Sequence, residues 1–288
     1  MQTRMIKIAM GQMLVEGGRP DNNLARALCM IRKAAEREHD IIVLPECIDI
    51  GWTYPDAPVL AREIPGERSA FLCKAARENS IFIAAGLTER ADEKIFNSAV
   101  FISPRGDILL KHRKINILDI AQDIYNVGTS LSVVETEVGN IGLDICADNF
   151  PDSYALGHTL ARMGCDIILS PSSWAIPPDY RSSENPCQMW EDSYTRLAYL
   201  FEIPIIGVSN TGIISAGVWK NYHCIGNSLA VSKEGIIIAQ GERTYEKESL
   251  ISVDVEISSE KKRGTDISPM LKKKGFLFDP PLPIIPAS

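Results

Sequence analysis

No apolar run in these 288 residues approaches the eighteen or more needed to cross a bilayer. The opening "MQTRMIKIAMGQM" has neither the apolar core nor the cleavage site of a signal peptide. A cytoplasmic protein is expected. Basic residues are in deficit, with 30 Lys and Arg against 37 Asp and Glu and a net charge of −7. Phosphate binding needs cations gathered on one face, and the dense basic run "LKKKG" at 271–275 reads as solvated surface, so nucleic acid is not an expected partner. The seven cysteines are odd in number and lack CxxC spacing, which excludes a disulfide framework or zinc site and predicts reduced thiols. Histidine is scarce: His39, His112, His158 and His223 all read as surface or helix-end residues, which leaves a papain-like Cys-His enzyme without its base. A serine hydrolase elbow, G-x-S-x-G, is missing as well, since "GNSLA" at 226–230 ends in Ala230.

What is present is enough apolar sequence, 45% of residues, to build one sizeable core, and the chain reads as a single domain over 1–265 followed by a tail at 266–288. Strand-like and helix-like segments alternate, the mark of an α/β protein. "MIKIAMGQM" at 5–13 reads as a strand. Asp21 is expected to cap a helix whose apolar face is Leu24, Ala27, Leu28, Ile31 and Ala34. After the strand "DIIVLPE" come a helix at about 67–79, the strand "SIFIAAGLTER" and a hairpin in "SAVFISPRGDILLKHRK". A second hairpin, "LSVVETEVGNIGLDIC", is expected to turn at Gly139-Asn140. Helices near 153–163 and 186–202 flank the strand "CDIILSP", and strands "IPIIGVSN", "CIGNSLAVSKEGIIIAQ" and "ESLISVDV" complete the chain. "DIIVLP" at 40–45 and "DIILSP" at 166–171 echo one another, each following an amphipathic helix, which suggests a pseudo-symmetric layered fold.

Three near-apolar strands end in a reactive side chain: "IIVLPE" in Glu46, "ILLKHRK" in Lys114 and "IGLDIC" in Cys146. Carboxyl ends of strands are where distant parts of an α/β chain converge on a ligand. A carboxylate, an ammonium and a thiol together make a nucleophilic machine: base, oxyanion partner and nucleophile. Taken singly, each has a plainer reading as a buried hydrophobe, a loop carboxylate or a surface charge.

The surrounding sequence lifts the three above that reading. "VLPECIDIGW", "KHRKINIL" and "GLDICADNFPDSYALGHTLARMGCDIILSPSSW", in that order, resemble the nitrilase, or carbon–nitrogen hydrolase, superfamily over roughly residues 5–255. The resemblance implies a four-layer αββα sandwich, an association of paired subunits and a Glu-Lys-Cys triad. Glu46 matches the general base, Lys114 the oxyanion-stabilising lysine and Cys146 the nucleophile, with the Ala147 N–H as second oxyanion donor. It implies hydrolysis of a non-peptide C–N bond in a small linear amide or N-carbamoyl compound through a cysteine thioester, with no metal or organic cofactor. Nitrile hydrolysis and acyl transfer use the same triad. A non-catalytic, partner-binding member of the fold is the reading from another class.

Two departures from the family pattern stand out. "CADN" follows where "CYD" is common, removing bulk beside Cys146, and "DIAQDIYNVG" lacks the second glutamate, for which Asp123, counted back from Gly128, is the expected substitute. Trp52, Tyr54, Asn149 and Trp174 lie just past strand ends and are expected to line the substrate pocket, with Arg181 as an anchor for a substrate carboxylate. The tail after Thr265, with Phe276, Leu277 and Phe278 among prolines, is expected to pack on a neighbouring subunit of a homodimer or larger homo-oligomer.

Overall fold

In the computed structural model, which describes residues 3–180, 185–258 and 268–275, two six-stranded mixed sheets stack face to face. Side-chain alternation builds the layers. Ile6, Ile8 and Met10 of strand Thr3–Gln12, Ile41 and Val43 of strand Ile41–Val43, and Phe82 and Ala84 of strand Phe82–Ala91 enter the core between the sheets. Their neighbours Ala9, Ile42, Ile83 and Ala85 point the other way, onto Ala27, Met30, Ile31 and Ala34 of helix Pro20–Glu36 and Leu72, Ala75 and Ala76 of helix Glu67–Asn79. A fully buried Ile or Leu is worth roughly 1.5–3 kcal/mol, and a one-residue slip would send every one of these side chains to the wrong face. Helices Tyr154–Arg162 and Gln188–Phe201 pack on the second sheet through Leu160, Tyr194 and Leu197. The result is the expected αββα order.

The echo between 40–45 and 166–171 has a structural counterpart. Ile41–Val43 pairs in parallel with Thr3–Gln12 on one side and Phe82–Ala91 on the other. Ile167–Ser172 pairs in parallel with Gly139–Leu143 and Ile205–Ser209. Each is thus an inner strand of its own sheet, and the Glu46 N–H, just past the first, donates to the carbonyl of Ser172 at the end of the second (3.1 Å). The rims of the two sheets are thereby fastened where the functional residues emerge.

Two local expectations are corrected. Helix Pro20–Glu36 begins with Pro20 in its first turn and Arg19 as the capping position, so Asp21 is inside the helix, where its charge complements the positive end rather than capping it. In the second hairpin Thr136 pairs with Gly139, which puts the turn at Glu137-Val138 and makes Gly139-Asn140 the start of the return strand. Of the tail, the described part is a short helix, Ser268–Lys273, seated on its own chain: Lys274 pairs with Glu202 and Arg196 donates to the Gly275 carbonyl. Phe276, Leu277 and Phe278, on which packing against a neighbour was expected, lie outside the described residues.

Candidate active site

Glu46 is reached by a sharp exit from its strand. Gly86 of the adjoining strand donates its N–H to the Pro45 carbonyl (2.9 Å) and accepts from the Ile48 N–H (3.0 Å), so strand and loop lie in backbone contact. A Cβ at position 86 would sit 2.6 Å from the Glu46 Cα, a separation no side chain tolerates. Lys114 follows strand Ile108–Arg113 and continues its ladder, donating its N–H to the Asn97 carbonyl (2.8 Å). Cys146 opens a short 3-10 segment, Cys146–Asn149, with φ +51°, a left-handed conformation that costs a non-glycine residue about 1–3 kcal/mol.

Glu46 and Lys114 are in contact, Cys146 lies close enough to feel the charge of both, and all three are buried. Lys114 Nζ donates to Glu46 Oε1 over 2.7 Å, and the amide of Asn97 donates to the same oxygen. The other oxygen, Glu46 Oε2, is buried with no hydrogen-bond partner among the described residues. Burial opposes a charge on Lys114, but the Glu46 carboxylate and the neighbouring Cys146 outweigh it and hold the ammonium's pKa above the ordinary lysine value. Burial pushes the Cys146 thiol up to about 12 against the attraction of Lys114, with Glu46 adding to the rise. The sulfur therefore feels both partners, and at neutral pH it carries its proton.

Asp148 fixes lysine and cysteine relative to one another. One of its carboxylate oxygens accepts the N–H groups of Ile115 (3.1 Å) and Asn116 (2.7 Å), directly after Lys114; the other accepts the N–H of Ile145 (3.0 Å), directly before Cys146. His112 Nε2 contacts it at 2.9 Å, so this imidazole is buried and structural, a correction to its reading as a surface residue. Asn116 adds a second clasp, donating to the Ala147 carbonyl (2.9 Å). Ala147, with its side chain buried, is in the first turn of the 3-10 segment, where its own N–H finds no acceptor within the segment.

The remaining expected residues divide. Trp52 and Tyr54 line a small cavity of about 20 Å³ together with Ser173, Asn210 and Cys224, and the Trp52 ring centre lies 6.0 Å from Lys114 Nζ. Trp174 is fully buried in the core, stacked on Trp190 and edge-on to Tyr194. Asn149 is fully buried too, its amide spent on Asp144 (2.7 Å) and Ser170 (2.9 Å). Asp123 is exposed, and the further carboxylate whose charge Lys114 feels is Asp148. Arg181 lies outside the described residues. Asn97 and Asp148 were not singled out by the sequence. Asn97 carried a signal, a polar residue inside the apolar run "KIFNSAVFI" that folding must satisfy. Among the described residues no group of three or more His, Cys, Asp or Glu is arranged to hold a metal ion, and no helix is long and apolar enough to cross a membrane.

A layered sandwich with a buried carboxylate, ammonium and thiol at the rim of its sheets defines a hydrolase class, and the comparisons agree. The carbon-nitrogen hydrolase family model matches residues 7–262, and the chain belongs to that family. It is a hydrolase of C–N bonds other than peptide bonds. It is 28% identical to a nitrilase of Pyrococcus abyssi, over 94% of this chain and 97% of that one, and 28% identical to omega-amidase NIT2 of Xenopus tropicalis, over 87% and 88%. In fold it is similar to a carbon-nitrogen hydrolase from Helicobacter pylori G27 (TM-score 0.78, 22% identity, 87% of this chain and 89% of that one) and to an amidase from Nesterenkonia sp. (TM-score 0.74, 17% identity, 86% and 89%).

Proposed function

We propose that Glu46, Lys114 and Cys146 act as base, oxyanion partner and nucleophile in hydrolysis of a small linear amide or N-carbamoyl compound. The observation that carries this reading is the division of labour within one carboxylate: Oε1 is held by Lys114 and Asn97, while Oε2 is buried and unpartnered. A buried acceptor left without a donor costs about 1–3 kcal/mol, a cost that a proton in transit relieves. Because the thiol is raised to about 12, the thiolate is not stored but made during attack. As sulfur bonds to the carbonyl carbon, its proton passes to Glu46, and the negative charge forming on oxygen is met by Lys114 and the Ala147 N–H. Collapse of the tetrahedral species returns the proton from Glu46 to the departing ammonia or amine and leaves a thioester. Water then gives a proton to Glu46 and attacks the thioester; collapse of this second tetrahedral species expels the sulfur, which takes the proton back from Glu46, and the acid is released. Every step is carried by three side chains and one backbone N–H of this chain.

Relatives named omega-amidase support an amide over a nitrile; a nitrile would bond to the same sulfur. The test is intact-mass spectrometry and ammonia release with short amides, ω-amides of dicarboxylates and N-carbamoyl amines. An acyl adduct on Cys146 is expected in the wild type and none in Cys146→Ala. No ammonia from any of them, together with stoichiometric capture of a partner protein, would favour the binding reading. Association into a homo-oligomer belongs to the same proposal. Sizing the protein with and without residues 268–288 checks whether the tail contributes.

A further inference from the structure

Behind the nucleophile lies a buried polar cluster that the reaction does not use. Asp144, two residues before Cys146, is 1% exposed. Asn149, at the end of the nucleophile turn, divides its amide hydrogens between Asp144 Oδ1 (2.7 Å) and Ser170 Oγ (2.9 Å). Ser170 Oγ in turn accepts the backbone N–H of Cys146 itself (3.2 Å) and contacts the Tyr194 hydroxyl at 2.9 Å. Tyr194 continues to Ser172 Oγ (3.1 Å), and the Ser172 carbonyl holds the Glu46 N–H. One chain of hydrogen bonds thus runs from Asp144 to the backbone of both the nucleophile and the base.

Proton counting limits the direction of the bonds. The Ser170 oxygen receives two N–H groups, from Cys146 and Asn149, which fill its two lone pairs. Its own proton must then be given away, and the Asp144 carboxylate and the Tyr194 oxygen are the acceptors within reach. A neutral Asp144 would present one more proton to an oxygen already saturated. A charged Asp144 accepts from Asn149 and can accept from Ser170 as well.

We propose that Asp144 is a positioning residue: its carboxylate, acting through Asn149 and Ser170, holds the Cys146 N–H and with it the left-handed turn that carries the thiol. The proposal rests on Cys146 being the nucleophile. The charged and titratable groups facing Asp144 are Asp148 on its own turn, His112 from strand Ile108–Arg113, Cys165 ahead of strand Ile167–Ser172, and Tyr194 from helix Gln188–Phe201. Burial and the charge of Asp148 raise its pKa to about 7, while Ser170, Asn149 and His112 oppose that rise only in part. The turn therefore loosens as pH falls through neutrality.

The experiment follows Cys146 by two routes, alkylation with iodoacetamide located by peptide mass mapping, and kcat and KM for a hydrolysed amide, each from pH 5 to 9. In the wild type both rates break downward below about pH 7. In Asp144→Asn the break disappears, and at pH 8 alkylation and kcat fall by about tenfold or more with KM unchanged, as expected when a reacting group is displaced by a fraction of an ångström. Ser170→Ala, which leaves Asp144 in place but cuts its path to Cys146, gives the same loss and guards against a folding defect in the first variant. A wild-type profile without the break, or a break that survives in both variants, overturns the proposal. If no amide is turned over but the alkylation break is present in the wild type and lost in the variants, the hydrolase reading fails while the positioning role stands.

Discussion

Two aspartates stand two residues to either side of Cys146, both fully enclosed, and their surroundings are opposite. Asp148 is met by three backbone N–H groups and an imidazole, so each of its oxygens has two partners. Asp144 relies on an amide and a hydroxyl, and its proton affinity climbs to about 7 because burial and the charge of Asp148 outweigh them. Burial alone does not decide what a carboxyl does; the number and direction of donors around it decide. Asp148 is a structural tie between the lysine and cysteine loops, and Asp144 is a group poised to change state near neutrality.

The comparison breaks first at Asp148. Asp148→Ala should cost about 3–5 kcal/mol, since one buried and two part-buried N–H groups and the buried His112 ring lose their partner, at ~1–3 kcal/mol for each group left buried and unpaired, and water recovers part of it. Urea unfolding measures this, and a loss below about 1 kcal/mol would show that the tie is dispensable. A smaller effect of opposite sign is expected at Asp144. Its pKa is higher in the folded than in the unfolded chain, so the folded state holds the proton longer and stability declines as pH rises from about 4 to about 7. The full cost of the buried charge above that range is at most ~4 kcal/mol. Asp144→Asn should therefore raise Tm relative to wild type at pH 8, with the gain vanishing near pH 4, even as it slows the enzyme. Equal Tm differences at both pH values would contradict the titration. The smallest effect is expected at Asp123, exposed beside the 3-10 segment Asp119–Ala121: Asp123→Asn should leave kcat/KM within about twofold, as surface substitutions away from a site usually do. A drop of tenfold or more would restore it as the substitute for the missing glutamate.

Much of the architecture was legible because it follows from period. The short apolar run "MIKIAM" reads as a strand, the apolar spacing of helix 20–36 dictates which of its faces is buried, and the three reactive residues announce themselves by ending apolar strands. What stayed hidden depends on partners supplied by distant backbone. Asp148 is visible in "CADN", but its donors belong to Ile115 and Asn116, over thirty positions earlier, and no spacing rule reports that the lysine loop will present its N–H groups there. Asn149 and Trp174 sit where pocket residues would sit, yet the first turns toward Asp144 and the second into the core, choices made by neighbours rather than by chain position. The turn at Glu137-Val138 defeated a residue-type rule because Gly139 pairs with Thr136 instead of bending.

Gly86 carries no functional group, so a survey of chemistry would pass over it. Yet the loop that bears Glu46 rests against that strand at a distance only a hydrogen atom permits. One added methyl would lever the carboxylate away from lysine and thiol without altering any reacting atom. Part of this protein's catalytic capacity is thus written as an empty space, held open on a strand that ends far from the sulfur in sequence.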